Sequence, residues 1–160
     1  MSYKELYIWV EGNDDERFFK RIIEPMLQKK YDNIYIIAYS QMKKEKRKSF
    51  LKSIKSMGAD YIFVTDIDKS PCVTARKEEF EEFKYIIDKG KIVVVVKEIE
   101  SWYLAGLDTK KIKIPHFELT DDITKEEFNK LISGNSRIDS MLKILNNFSI
   151  EMAKQRNKSF

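Results

Sequence analysis

The residues best able to do chemistry in this 160-residue chain are carboxylates, and they come in three short clusters. The first is Glu11-Gly12-Asn13-Asp14-Asp15-Glu16, the second Asp66-Ile67-Asp68-Lys69, and the third Glu98-Ile99-Glu100-Ser101-Trp102. Residues two apart point the same way while a chain stays extended. Asp66 and Asp68 can then converge on one cation, and so can Glu98 and Glu100. Gly12 lets the chain turn directly after Glu11. Clustered carboxylates repel one another and desolvate poorly, so a cation is the usual means of holding them together. An all-oxygen donor set that leaves room for water and phosphate suits Mg2+ or Mn2+. Such a site activates water, stabilises a leaving oxygen and supports two-metal phosphoryl transfer. Each cluster also has a plainer reading. A DxD is often a helix cap or a turn, acids after Glu11 can simply complement a helix dipole, and Glu100 can be an exposed acid.

Other chemistries find little support. Cys72 is the single cysteine, so no intrachain disulfide framework exists, and with one histidine besides, a zinc site lacks ligands. Nothing near Cys72 marks it as a nucleophile. His116 sits in a Pro-containing loop without a partner pattern and reads as a surface residue. The five glycines form neither a GxxxxGK[ST] nor a GxGxxG pattern, which argues against a Walker-type or dinucleotide site. Lys69 reads as a solvent lysine and Trp102 as core. The longest apolar run, Ile34–Tyr39, is too short to span a bilayer. No basic stretch followed by an apolar segment opens the chain, which argues against a signal peptide. With 42% hydrophobic and 35% charged residues, the composition is that of a packed, soluble, cytoplasmic chain of about one domain. The net charge of +4 is mild, but Gln41–Lys55 holds seven Lys/Arg against the one acid Glu45. That run is either a phosphate-contacting face or a solvated helix face.

The elements that must position these acids alternate between strand and helix. Leu6–Val10, Asn33–Tyr39, Asp60–Thr65 and Lys91–Lys97 read as strands. The four consecutive valines of the last suit a strand buried on both faces of a parallel sheet. Asp15–Lys30, Lys43–Met57 and Thr74–Asp88 read as helices, the first with a kink or split at Pro25. Phe80, Phe83, Ile86 and Ile87 form the inward stripe of the third. Right-handed crossovers then give an α/β sandwich. Ligands in such sheets bind outside the carboxyl ends of the strands, and three of the four predicted ends carry an acidic cluster. Beyond Leu107 the strand signal fades, and Lys125–Ile132, Arg137–Leu145 and Ile150–Lys158 read as helices.

The segments VEGNDDERFF, VTDIDKSP and KEIESWYLAG, in that order, resemble the Toprim domain, most closely its small and OLD-like members. The resemblance spans roughly Leu6–Leu107. It implies that Glu11 is a metal ligand or general acid/base, that Asp15 ligates a second metal, and that Asp66 and Asp68 hold Mg2+. It implies Glu100 as the downstream acid, with Glu98 as the competing register. Members of this superfamily handle nucleic-acid phosphodiesters with divalent metal. The sequence departs from the OLD type in holding no ATPase domain. It departs from topoisomerases in that its tyrosines fall largely in predicted core elements, and the extra zinc and fold elements of primases are missing. OLD-type nucleases use a further basic residue, for which Arg137 and Lys143 are the candidates.

The sequence thus predicts an α/β, Toprim-like (Rossmann-like), mostly parallel four-stranded sheet flanked by helices, with a C-terminal helical tail. Residues 1–107 form the expected catalytic domain, and residues 108–160 an extension packed on it. The expected activity is Mg2+- or Mn2+-dependent hydrolysis of nucleic-acid phosphodiesters, DNA or RNA. Glu11, Asp15, Asp66, Asp68 and Glu100 are the expected ligands, and all but Asp15 are expected catalytic residues. The basic stretch Lys43–Lys55 grips the backbone. The alternative is a non-cleaving nucleic-acid-binding or regulatory module that needs a partner such as an ATPase in trans. A DxD phosphatase is disfavoured, because its nucleophile normally follows the first strand.

Overall fold

The computed structural model describes residues 3–80, 87–108, 110, 112, 114–115, 117–132 and 136–160. Its chain folds as two compact units, Met1–Val94 and Val95–Phe160. The division falls inside the fourth strand, where the sequence suggested a boundary at Leu107.

The first unit is built on a parallel sheet. Strands β1 (Glu5–Val10), β2 (Asn33–Ala38), β3 (Asp60–Asp66) and β4 (Ile92–Val95) lie in the order β2-β1-β3-β4. β1 pairs in parallel with β2, Glu5 opposite Asn33 and Val10 opposite Ala38, and with β3, Leu6 opposite Asp60 and Trp9 opposite Phe63. All four strands run parallel, where the sequence suggested mostly parallel. Alternation buries both faces of β1. Leu6, Ile8 and Val10 are buried on one side, and Trp9 on the other joins Phe63, Leu51 and Ile54 in the core. The valine strand β4 lies at the edge of the sheet, yet Ile92, Val94 and Val95 are all buried.

The first crossover holds α1 (Asn13–Phe18), a π-helical turn (Phe19–Ile23) and α2 (Glu24–Leu27), with Pro25 in the first turn of α2. The expected disruption at Pro25 therefore takes the form of a π segment. A proline lacks the N–H of the α-helical ladder, and its ring crowds the carbonyl four residues back. The wider turn just before it resets the ladder. The second crossover is α3 (Lys44–Ser56), with Leu51 and Ile54 buried and Phe50 beside them. The third begins with α4 (Val73–Glu78). The expected continuation through Phe83 and Ile86 lies outside the described residues. A 3-10 turn at Lys89–Lys91 leads into β4.

The second unit packs α6 (Lys125–Leu131), α7 (Arg137–Asn146) and α8 (Ile150–Arg156) around α5 (Ile99–Ala105). Every residue of α5 is buried, as expected of a helix at the centre of its unit. Thr124, Ser136 and Ser149 cap the three later helices by accepting a backbone N–H three residues on. α8 stops at Arg156, two residues short of the expected end. Asn157 turns extended there, and its buried amide donates to Ser101 Oγ and Thr120 Oγ1. Trp102, core as expected, donates its indole N–H to Ser159 Oγ at 2.8 Å.

Candidate functional site

The strand order decides where the first two acidic clusters meet. From β1 the chain crosses to one side to make β2, then to the other to make β3. The switch point of such a sheet lies between the carboxyl ends of β1 and β3, and ligands bind in the crevice there. Glu11 follows β1 directly, and Asp66 closes β3. Continuing the β1–β3 register puts Glu11 level with Thr65, one residue from Asp66, on strands about 4.8 Å apart. Glu11 is exposed, whereas Asp66 Oδ1 is buried.

Asp15 reaches the same place from the first turn of α1. It is buried, and its Oδ2 accepts the Gly12 N–H at 3.3 Å, closing the N-terminus of the helix. Asp14, Asp15 and Glu16 all stand in that first turn, so the dipole-complementing role also holds. Gly12 itself has φ −146°, which any residue adopts, and a Cβ there would come no nearer than 4.0 Å to Asp15 Oδ2. The turn after Glu11 therefore does not depend on glycine, contrary to the expectation from the sequence.

One buried side chain registers all three acids. Tyr39, just past β2, stacks on Phe63 with ring centroids 4.6 Å apart and donates its hydroxyl to Val64 O at 2.9 Å. Burial pushes this phenol well above its ordinary range. The negative charges of Glu11, Asp15 and Asp66 push it further, against an opposing hydrogen bond with Thr65. Glu11 and Asp15 of the first cluster and Asp66 of the second thus bear on one hydroxyl.

Two arginines border Tyr39 and the end of β3. Arg47 of α3 stands 5.3 Å over the Tyr39 ring and donates its Nε–H to Met42 O at 2.8 Å. Arg76 of α4 clamps the end of β3, donating to Asp66 O at 2.7 Å and Thr65 Oγ1 at 2.9 Å. The same guanidinium pairs with Glu79 at 2.6 Å and lies 5.2 Å over the Phe80 ring. Sequence reasoning singled out neither Tyr39 nor Arg76. Tyr39 reads as one more strand residue, and Arg76 shows nothing locally but an i,i+3 pairing with Glu79.

Asp68 departs from its expected geometry. The extended chain ends at Asp66, and Ile67–Ser70 forms a turn closed by Ser70 N–H to Ile67 O, with Asp68 exposed in the left-handed region at φ 53°. Strand alternation therefore does not align Asp66 with Asp68. The turn reading of the DxD holds for its second acid. Cys72 beyond it caps α4, its Sγ accepting Ala75 N–H at 3.4 Å.

The third cluster belongs to the second unit, and there too the extended premise fails. β4 ends at Val95, Glu98 is the N-cap of α5, and Glu100 lies in the first turn. Glu98 accepts the Lys125 N–H. Glu100 is 3% exposed rather than an exposed acid, and its Oε1 pairs with Arg137 at 2.7 Å. Arg137, one of the two basic candidates, also donates to Asn129 at 2.9 Å and covers the Phe128 ring at 5.8 Å. Lys143, the other, is exposed on α7. His116 lies outside the described residues.

Among the described residues, no group of three or more His, Cys, Asp or Glu side chains is arranged to hold a metal ion. The donors at the switch point are oxygens throughout, and Mg2+ is commonly held by one or two carboxylates with water and substrate phosphate completing the shell. The donor chemistry fits such an ion. No helix of the described residues is long and apolar enough to cross a membrane. The fold and this edge define an α/β protein of the Rossmann-like class with an acid-lined switch point. Comparison of the chain with protein-family models, curated proteins and solved structures finds no match.

Proposed function

We propose that this protein hydrolyses nucleic-acid phosphodiesters with the help of a divalent cation, Mg2+ or Mn2+. The observation that carries the reading is the placing of Glu11 directly after β1 and of Asp66 at the end of the neighbouring β3, side by side at the switch point of the sheet. Asp66 and Glu11 are the first ligands in this reading, with Asp15 behind them and Asp68 reaching in from its turn. Such an ion, when bound, supplies charge stabilisation at the phosphoryl oxygen and a more acidic water. Glu11, exposed beside that position, accepts the proton of the attacking water. Arg76 is a positioning residue that fixes the β3 end through Asp66 O and Thr65 Oγ1. Lys44 and Lys46 are exposed in the first turn of α3, which leaves β2 at this same edge, and Lys52 and Lys55 continue the exposed basic face along the helix away from it.

The test is incubation of the purified protein with supercoiled plasmid and with structured RNA, in Mg2+, Mn2+ or EDTA, beside an Asp66→Asn variant. Cleavage that needs the metal and disappears in the variant is the expected result. Equal cleavage by the variant, with its circular dichroism unchanged, overturns the assignment. Salt-sensitive binding without cleavage of either polymer overturns hydrolysis in favour of a partner-dependent binding module.

A further inference from the structure

The edge strand β2 carries a feature that the proposed activity does not use. The β1–β2 register and the Tyr39 N–H to Val10 O bond at 2.9 Å set the parity of its ladder with β1, and Asn33 N–H reaches Lys4 O at 3.4 Å beside the closer Asp32 N–H at 2.8 Å. Odd-numbered residues of β2 therefore turn their backbone groups toward β1. Backbone direction alternates along a strand, so Ile34, Ile36 and Ala38 present N–H and C=O to the outer edge. β2 stands last in the strand order, and no strand among the described residues takes these groups.

Natural edges are guarded by lysines, prolines, bulges or inward charges. Asn33-Ile34-Tyr35-Ile36-Ile37-Ala38 has none of them: it carries no charge and no proline. Tyr35 is 40% exposed and stacks on Tyr7 with centroids 4.8 Å apart.

We propose that this edge pairs with β2 of a second copy of the chain, antiparallel about a two-fold axis at Ile36, joining two four-stranded sheets into one. The occupant follows from self-complementarity. Outward residues are placed symmetrically about Ile36, so Ile36 meets the partner's Ile36 while Ile34 meets the partner's Ala38 and Ala38 the partner's Ile34. Every outward N–H and C=O of β2 then finds its bond. A register centred on Tyr35 matches only Ile34 with the partner's Ile36 and leaves both Ala38 edges open. In the favoured register Tyr35 lies opposite the partner's Ile37, an aromatic against a β-branched side chain, and no like charges meet within the strand.

The experiment is the mass of the full chain in solution over a concentration series, with amide hydrogen exchange on the same samples. The expected mass rises toward twice the 19.1 kDa of one chain, with the amides of Ile34, Ile36 and Ala38 protected. Ile36→Pro removes an outward N–H without touching the β1–β2 ladder, and Tyr35→Lys places a charge beside the axis. Both are expected to remain at the mass of one chain with unchanged circular dichroism. Should Ile36→Pro fail to fold, Tyr35→Lys alone decides. A wild-type chain that stays single at every concentration overturns the proposal. So does a dimer in which those three amides exchange freely, or one that Tyr35→Lys leaves intact.

Discussion

Replacing Arg137 with alanine removes the cation that pairs with a buried carboxylate, and the size of the effect can be worked from the structure. The Glu100 side chain is 4% exposed and that of Arg137 30%. Arg137 approaches Glu100 Oε1 at 2.7 Å. Breaking a buried ion pair by removing one partner costs about 3–5 kcal/mol, because the remaining charge is left in a poor environment. Arg137 is open to water on one side, so solvent reaches part of the vacated space and the lower end applies. The contact over Phe128 adds about 0.5 kcal/mol, and the bond to Asn129 lies in the open and contributes little. Arg137→Ala should therefore destabilise by about 3 kcal/mol at neutral pH. Acidification neutralises the remaining carboxylate, so the deficit should shrink as pH falls. Glu100→Gln added to Arg137→Ala should recover more than half of it, since a neutral amide is far cheaper to leave buried than a carboxylate. The assay is urea unfolding followed by circular dichroism, at neutral and mildly acidic pH, for both singles and the double. A single variant within a few tenths of a kcal/mol of wild type, or a double no better than the single, refutes the argument.

Arg76→Met should lower stability by about 2–3 kcal/mol through its lost charge-assisted bonds to Asp66 O and Thr65 Oγ1. Its cleavage rate should fall further than a stability change predicts, with Arg76→Lys recovering part of it. Gly106→Ala should cost about 1–3 kcal/mol in thermal unfolding, because an added Cβ would stand 2.4 Å from the Phe148 ring. Tyr39 ionises above the unfolded value of about 10, so the folded state excludes tyrosinate that the unfolded chain accepts. The stability it carries is whole below that pH and is lost as pH rises beyond it. Tyr39→Phe should flatten that alkaline part of the pH–stability curve.

Much of the first unit is legible in local sequence. Strand and helix periodicity reports which residues face solvent, and both the order of elements and most boundaries follow from it. The acids after β1, β3 and β4 are likewise a matter of position. The extended geometry expected of the DxD fails because alternation holds only inside a strand, and β3 ends at Asp66. The missing N–H of Pro25 predicts the segmentation of the first crossover, whereas the π turn that absorbs it is visible only in the folded chain.

By itself the sequence determined the α/β class and the placing of acids directly after β1 and at the end of β3, because each depends on neighbours within a few residues, and the alternation of strand and helix implied a mostly parallel sheet. Only the tertiary structure decided that β1 lies between β2 and β3. That order brings Glu11 beside the end of β3 and sets Tyr39 across to Phe63 and Val64. It likewise decided that Arg76 holds Asp66 and that Arg137 holds Glu100. Such pairings join residues far apart in the chain. A pattern of burial records that each must be covered or satisfied, and packing alone chooses by what.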